Sequence, residues 1–302
     1  MKFINKKLNE REASFGLVLG CILFGLGSVI VAKISLGAYS VAFWRLFIAG
    51  IIFFIIMKLR YKSLPRSKKV IFLALLSGVF LAYDLALWHE SIYAIGPGIS
   101  TLLNSLQIFW LTFIGVIILK ERLSKFSVFA LFLAFFGITL IALPEFKTNI
   151  NASCGFISGI VFGIFLSLSM LCIKKIGEHE KTNIFSLMFL LSFGGAISLL
   201  PIAIAIDSHR FFTQNFTEIS LVFVYGSVMQ CIAWGLIAYS VPLISLSLTG
   251  ILLLSEPIAA LFIDAFLLAK LISLAQWIGA GITMFAIYLG VLKRQKVSAT
   301  QI

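Results

Sequence analysis

The sequence predicts an all-α integral membrane protein of ten transmembrane helices, arranged as two inverted five-helix repeats. Three observations lead there. Of the 302 residues 61% are apolar and only 12% charged, with a mean hydropathy of +1.09, so a soluble domain of this size would lack the polar surface to cover itself. Apolar runs of about 20 residues recur along the whole chain, each enough to cross a hydrocarbon core of about 30 Å. The second half also echoes the first at a nearly constant offset.

Taken in order, the expected spans are 14–34, 39–57, 70–93, 98–119, 126–143, 155–173, 184–206, 219–240, 245–268 and 273–292. The first follows Lys2, Lys6, Lys7 and Arg11 as a secretory leader would, but nine more spans follow it and no small-residue cleavage site does; it is kept as a membrane helix. The net charge of +12 is a matter of topology. With the N-terminus inside, 19 of the 24 Lys and Arg fall in cytoplasmic segments; the exceptions are Lys33, Arg45, Lys147, Arg210 and Lys270. The positive-inside rule therefore puts both termini in the cytoplasm and nucleic acid outside its partners. Cys21, Cys154, Cys172 and Cys231 have no metal-ligand spacing, and Cys154 in an outward loop has no evident disulfide partner.

The repeat is carried by three matches. Asp84, Trp88 and Tyr93 in span 3 recur as Gln230, Trp234 and Tyr239 in span 8; Ser100 and Asn104 in span 4 recur as Ser245 and Thr249 in span 9; "GIT" at 137–139 recurs at 281–283. An odd number of spans per repeat makes the second copy enter the membrane from the opposite side. The chain then divides into a cytoplasmic segment 1–13, a first repeat 14–147, a second repeat 148–292 and a cytoplasmic tail 293–302. Two like halves in opposite orientation can exchange conformations, which is the logic of secondary transporters with a substrate site between the repeats.

Ten short helices in two fives, "FWRLFIAG" with Arg45, "LKERLS" with Glu121, and "LLLSEPIAALF" with Glu256 and Pro257 resemble the drug/metabolite transporter superfamily, specifically its EamA-type inner-membrane permeases. "DLALWHESI" resembles a subgroup of that family with Asp-x-x-x-Trp-His. The resemblance covers essentially the whole chain. It implies a small metabolite, amino acid or drug-like solute, more often exported than imported, with spans 5 and 10 serving as scaffold or homodimer contact.

Four acids lie within the expected spans: Asp84 and Glu256 near mid-membrane, Glu90 and Asp264 nearer the outer ends. An ionisable group at mid-membrane costs a few kcal/mol or more unless paired or wetted, so Asp84 and Glu256 are candidates for substrate binding and proton coupling. The bland reading is a buried polar tie between helices. At 100° per residue Asp84, Trp88 and Ser91 lie within about 40° of one direction, and His89 points away. His89 therefore reads as a structural histidine bonded to a neighbouring helix ahead of a proton carrier, although histidine titrates near neutrality. Asn104 and Gln107, with Ser100, form a polar stripe on span 4, and Thr249 and Glu256 one on span 9; both suit a wet cavity or interhelical ties. Trp88 and Trp234 can sandwich a cationic or apolar solute, or simply pack. Arg45 snorkels to the interface, pairs with an acid or attracts an anion. Gly96-Pro97-Gly98 reads as the tight outer link of spans 3 and 4.

The expectation is a secondary transporter working by alternating access, with Asp84, Trp88, Asn104, Gln107, Gln230, Trp234, Thr249 and Glu256 at the substrate site. Its partners are a small-molecule substrate, the lipid bilayer and protons, with a homodimer as a further expectation. No cofactor, metal or ATP-binding motif is expected. A membrane enzyme is disfavoured because there is no His-Glu-x-x-His and no Gly-x-Ser-x-Gly; a non-transporting sensor or scaffold would require that no cavity separate the halves.

Overall fold

The computed structural model describes residues 9–60, 63–104, 107–121, 123, 125–146, 152–266 and 273–292. All regular structure among them is helical. Helix α1 (Glu10–Val31) begins four residues before its apolar run because Asn9 and Glu12 close a capping box: the Glu12 amide donates to the Asn9 side chain at 2.8 Å and the Asn9 amide to the Glu12 carboxylate at 2.9 Å. Helix α2 (Ala38–Leu59) has no cap of its own; Asp207, at the end of α7 (Ile184–Ile206), accepts from the Ser40 amide at 2.8 Å. The bounds of α7 match the apolar run, with Asn183 as its N-cap.

Helix α3 (Lys68–Asn104) keeps its helical pattern for 37 residues, yet it does not run straight. The Ser100 hydroxyl donates to the Trp88 carbonyl at 3.3 Å; in a straight helix twelve residues span about 18 Å. The chain therefore folds back between them, within the stretch that holds Gly96-Pro97-Gly98, where a missing amide and two residues without Cβ make a sharp bend tolerable. Helix α4 (Gln107–Ile117) continues the return, α5 (Lys125–Phe146) follows, and α6 (Ala152–His179) opens the second half. The next stretch runs α8 (Phe216–Val224), a π-helical segment Tyr225–Trp234 and α9 (Gly235–Ser240); then come α10 (Leu246–Leu253), α11 (Ser255–Phe266) and α12 (Leu274–Leu292).

Five stretches among the described residues are long and apolar enough to cross a membrane: Glu10–Val31, Ala38–Leu59, Lys68–Ala94, Ile184–Ile206 and Phe216–Leu243, with shorter apolar helices beside them. The protein is a multi-pass membrane protein.

The packing is symmetric in pattern. Helix α2 lies on α7, α4 on α10 and α5 on α12; α3 lies on α6 as α1 lies on the π segment and α9. Helices α2, α4 and α5 thus meet their own repeat mates, while α1 and α3 exchange partners, each meeting the mate of the other. Helices α2 and α7 run antiparallel, since Ser40 meets Asp207 at one end and the Ser186 hydroxyl donates to the Ser63 carbonyl at the other. Helices α4 and α10 do the same, with Ile108 and Leu111 near Gly250 and Gly115 near Ser247. Antiparallel mates imply a two-fold axis lying across the helices.

Small residues set the closest approaches. Ser77 and Ser169 exchange hydrogen bonds between α3 and α6, each hydroxyl reaching the other's carbonyl at 3.0–3.1 Å. Between α3 and α7 a Cβ at Gly78 would overlap the Leu191 carbonyl, and one at Gly195 would meet the Gly78 carbonyl at 2.7 Å. Only glycine permits that contact.

Candidate functional site

Where α1, α3, α6, the π segment, α9, α10 and α11 converge, a small closed cavity is lined by Asp84, Trp88, Asn104, Trp234 and Glu256, with Phe24 and Leu166 among its apolar walls. Its volume of about 10 Å³ leaves space for roughly one water molecule. The fold-back of α3 brings Asp84 and Asn104 to one place although twenty residues separate them. A second, larger hollow of about 450 Å³ lies between Val18, Ile22, Ile258, Phe262 and Met284. It is lined by apolar side chains apart from Ser255 and opens on the outward face of the helices, so it offers little to orient a polar solute.

The polar atoms at the small cavity are largely unsatisfied. The Asn104 amide donates to Glu256 Oε2 at 3.3 Å. Asp84 Oδ1, Asn104 Oδ1, Glu256 Oε1, Trp88 Nε1 and Trp234 Nε1 are all buried without a hydrogen-bond partner among the described residues. Buried polar atoms that merely hold helices together are normally paired, because an unpaired one costs about 1–3 kcal/mol. Five in one place mark a site built for something besides packing.

Beside this cavity sits a cationic hub. Arg45 is fully buried; its Nε donates to Gln230 Oε1 at 2.7 Å and its Nη1 to the Tyr225 hydroxyl at 2.6 Å. The guanidinium lies over the rings of Phe24 and Tyr225, 4.6 and 4.5 Å from their centroids. Arg45 does not snorkel, because neutral acceptors and two aromatic faces hold it in the interior. The Tyr225 hydroxyl also meets His89 Nε2 at 2.8 Å, while His89 Nδ1 lies 3.1 Å from the Ala38 carbonyl. A carbonyl only accepts, so Nδ1 donates. The Tyr225 oxygen accepts from Arg45, and its O–H donates to Nε2, leaving a neutral imidazole used as a helix tie.

Of the eight expected substrate-site residues, the structure gathers Asp84, Trp88, Asn104, Trp234 and Glu256 around the cavity and leaves three off it. Gln230 is turned to Arg45 and does not line the cavity. Thr249 is fully buried and bonds back to the Ser245 carbonyl at 2.9 Å. Gln107 is buried against Gly163 of α6. The side chains of Cys154 and Asp264 lie outside the described residues.

Sequence reasoning missed Phe24 and Tyr225. Phe24 is an apolar residue in an apolar helix and carries no signal of its own. Tyr225 meets Arg45 together with Gln230 because the segment is π-helical, with the Cys231 thiol reaching the Gly226 carbonyl five residues back. In an α-helix residues five apart diverge by about 140°; the wider π winding lets both reach one guanidinium.

Both mouths of the site are closed by polar ties. At one end the Tyr93 hydroxyl donates to the Leu36 carbonyl at 3.0 Å, near the Asp207–Ser40 contact. At the opposite end Glu121 accepts from the Leu246 amide at 2.8 Å, the Ser247 amide at 3.2 Å and the Ser247 hydroxyl at 2.8 Å, capping α10. Lys174 there donates to the carbonyls of Pro242 and Ile244. Polar ties thus stand at both ends of the helices that surround the cavity.

Comparison with known proteins agrees with this architecture. An archaeal relative from Archaeoglobus fulgidus, described as an uncharacterized transporter, is 24% identical over 266 residues, covering 86% of this chain and 90% of its own. A solved crystal structure superposes with a TM-score of 0.76 over 94% of this chain and 97% of its own, at 12% identity, a likeness of fold alone. The model of the EamA-like transporter family matches twice, at residues 12–143 and again at 153–292. On that double match, the chain belongs to the EamA-like transporter family.

Proposed function

We propose that the protein is a secondary transporter that moves a small metabolite, amino acid or drug-like solute across the cytoplasmic membrane by alternating access, in the export direction and coupled to protons or to solute exchange. The chain crosses the membrane ten times as two inverted repeats with both termini in the cytoplasm, so the Tyr93–Leu36 mouth faces outward and the Glu121 mouth inward. The closed arrangement is then an occluded intermediate. Spans 5 and 10 act as scaffold, and their outward phenylalanines, such as Phe132 and Phe136, are where a second copy would dock.

The observation that supports this reading is the set of unpaired polar atoms of Asp84, Asn104 and Glu256 around one closed cavity. A scaffold or sensor would have no reason to leave them unpaired. Charge counting supports proton coupling: two carboxyls share the interior with one guanidinium, so the cluster is neutral when one carboxyl holds a proton. A solute with a hydrogen-bond donor or positive charge can replace that proton, and each then drives the other across. Flux of a labelled solute panel in proteoliposomes, with and without an imposed pH gradient, tests this. We expect at least one solute to leave the loaded face faster when the release face is acidified. No flux of any member, with or without a gradient or counter-solute, would sink the reading.

A further inference from the structure

We infer that Arg45 and Gln230 form an anion-accepting subsite, separated from the carboxyl cavity by the Phe24 ring, that takes an anionic group of carboxylate size. The inference rests on the transporter reading only for what carries the anion.

Arg45 is fully buried, and no carboxylate lies within ion-pair distance of it among the described residues. Its two bonded donors meet neutral oxygens, and its Nη2 has no partner among the described residues. A buried guanidinium with no acid in contact is costly even where a carboxylate elsewhere in the interior balances its charge, and an anion that takes its free donor lowers that cost. Gln230, also fully buried, leaves its Nε2 unpaired. The amide cannot flip to relieve this, because its oxygen already accepts from Arg45 Nε and the reverse orientation would set N–H against N–H. Two groups joined by a 2.7 Å bond thus each hold a buried donor with nothing to donate to. A carboxylate, with two acceptor oxygens, suits such a pair.

Three further features fit. The π-helical segment is what brings Gln230 to Arg45 at all, and π winding is frequent at functional sites. Phe24 lines the carboxyl cavity and covers one face of the guanidinium, while its ring lies 5.6 Å from that of Trp88 and 5.8 Å from that of Trp234. A change of rotamer at Phe24 would open the carboxyl cavity toward Arg45 and Gln230. The unmet groups also differ between the two places: the cavity holds the acceptors of Asp84, Asn104 and Glu256 beside the indole donors of Trp88 and Trp234, whereas Arg45 and Gln230 hold donors alone. The opened space would suit a solute presenting hydrogen-bond donors at one end and a carboxylate at the other.

The test is binding to the full-length protein in lipid nanodiscs, read by thermal stabilisation and tryptophan fluorescence. One arm compares amino acids with their methyl esters. The other compares acetate with acetamide in a buffer whose only other anion is a bulky sulfonate. Each arm is run on wild type and on Gln230→Glu, which supplies a carboxylate from the protein itself and keeps Arg45 paired, so it should fold at least as well. We expect wild type to favour the carboxylate form by about tenfold, the scale of one charge-assisted pair, and Gln230→Glu to reduce that ratio to about one. Preference for acid over ester assigns the site to the solute's own carboxylate. Preference for acetate over acetamide without an acid–ester difference assigns it to a free anion. Equal binding in both arms, or a ratio that Gln230→Glu leaves intact, overturns the subsite; the flux assay judges transport separately.

Discussion

Asp84 and Gln230 stand at the same step of two repeated motifs, each four residues before a tryptophan and nine before a tyrosine, yet they end in different chemistry. Asp84, on regular α-helix, lines the cavity with Trp88. Gln230, on the π segment, turns to Arg45 while Trp234 still reaches the cavity. One local change of winding separates a carboxyl site from a cationic hub. Sequence symmetry in an inverted repeat therefore locates equivalent helices better than equivalent side chains.

The comparison can be broken first at Asp84. If that carboxyl couples proton to solute, acidifying the loading face should compete with solute and acidifying the release face should speed flux. Asp84→Asn should flatten both responses and lower gradient-driven flux by about 100-fold, within the usual range of coupling free energies. Its melting temperature should hold or rise, since the variant removes a buried charge that has no direct partner among the described residues. A variant that keeps the wild-type pH response would remove Asp84 from the coupling role.

The hub should behave the other way. Tyr225→Phe deletes the hydroxyl that joins Arg45 to His89 and strands a buried guanidinium donor and an imidazole acceptor. It should cost about 2–4 kcal/mol of stability, measured by thermal unfolding in detergent. An unchanged melting temperature would show that the hub is not the structural tie its geometry suggests. The smallest effect is expected at His89. His89→Gln keeps polar atoms near Ala38 and Tyr225 and should cost about 1 kcal/mol, the worth of one imperfect hydrogen bond, with the pH dependence of flux unmoved. A shifted profile would make His89 a proton carrier after all.

Much of the architecture was legible. Apolar runs placed the helices, and the α7 run from Ile184 to Ile206 was read to the residue because Asn183 caps it and Asp207 follows it. Acids in oil pointed to Asp84 and Glu256, since any carboxyl in a helix core needs a reason. The direction of His89 followed from 100° per residue. What escaped was whatever departs from that rule. The π winding left no trace in the spacing of Gln230 and Trp234, so Gln230 and Tyr225 were not paired with Arg45. Arg45 looked like a snorkelling residue because its aromatic clamp comes from Phe24 and Tyr225, distant in sequence. Phe24 itself is indistinguishable by type from phenylalanines that face lipid.

The glycine contact between α3 and α7 has a mechanical consequence. At Gly78 and Gly195 the two backbones touch, leaving no side chain that could ratchet past its neighbour, so relative movement there must be a swing about a pin instead of a glide. Tyr93 lies fifteen residues along α3 from Gly78, a lever of about 22 Å, and a swing of about ten degrees would carry its end by about 4 Å. That is more than the width of a water molecule, at the mouth where Tyr93 now holds the Leu36 carbonyl. Replacing Gly78 with alanine would jam the pin itself.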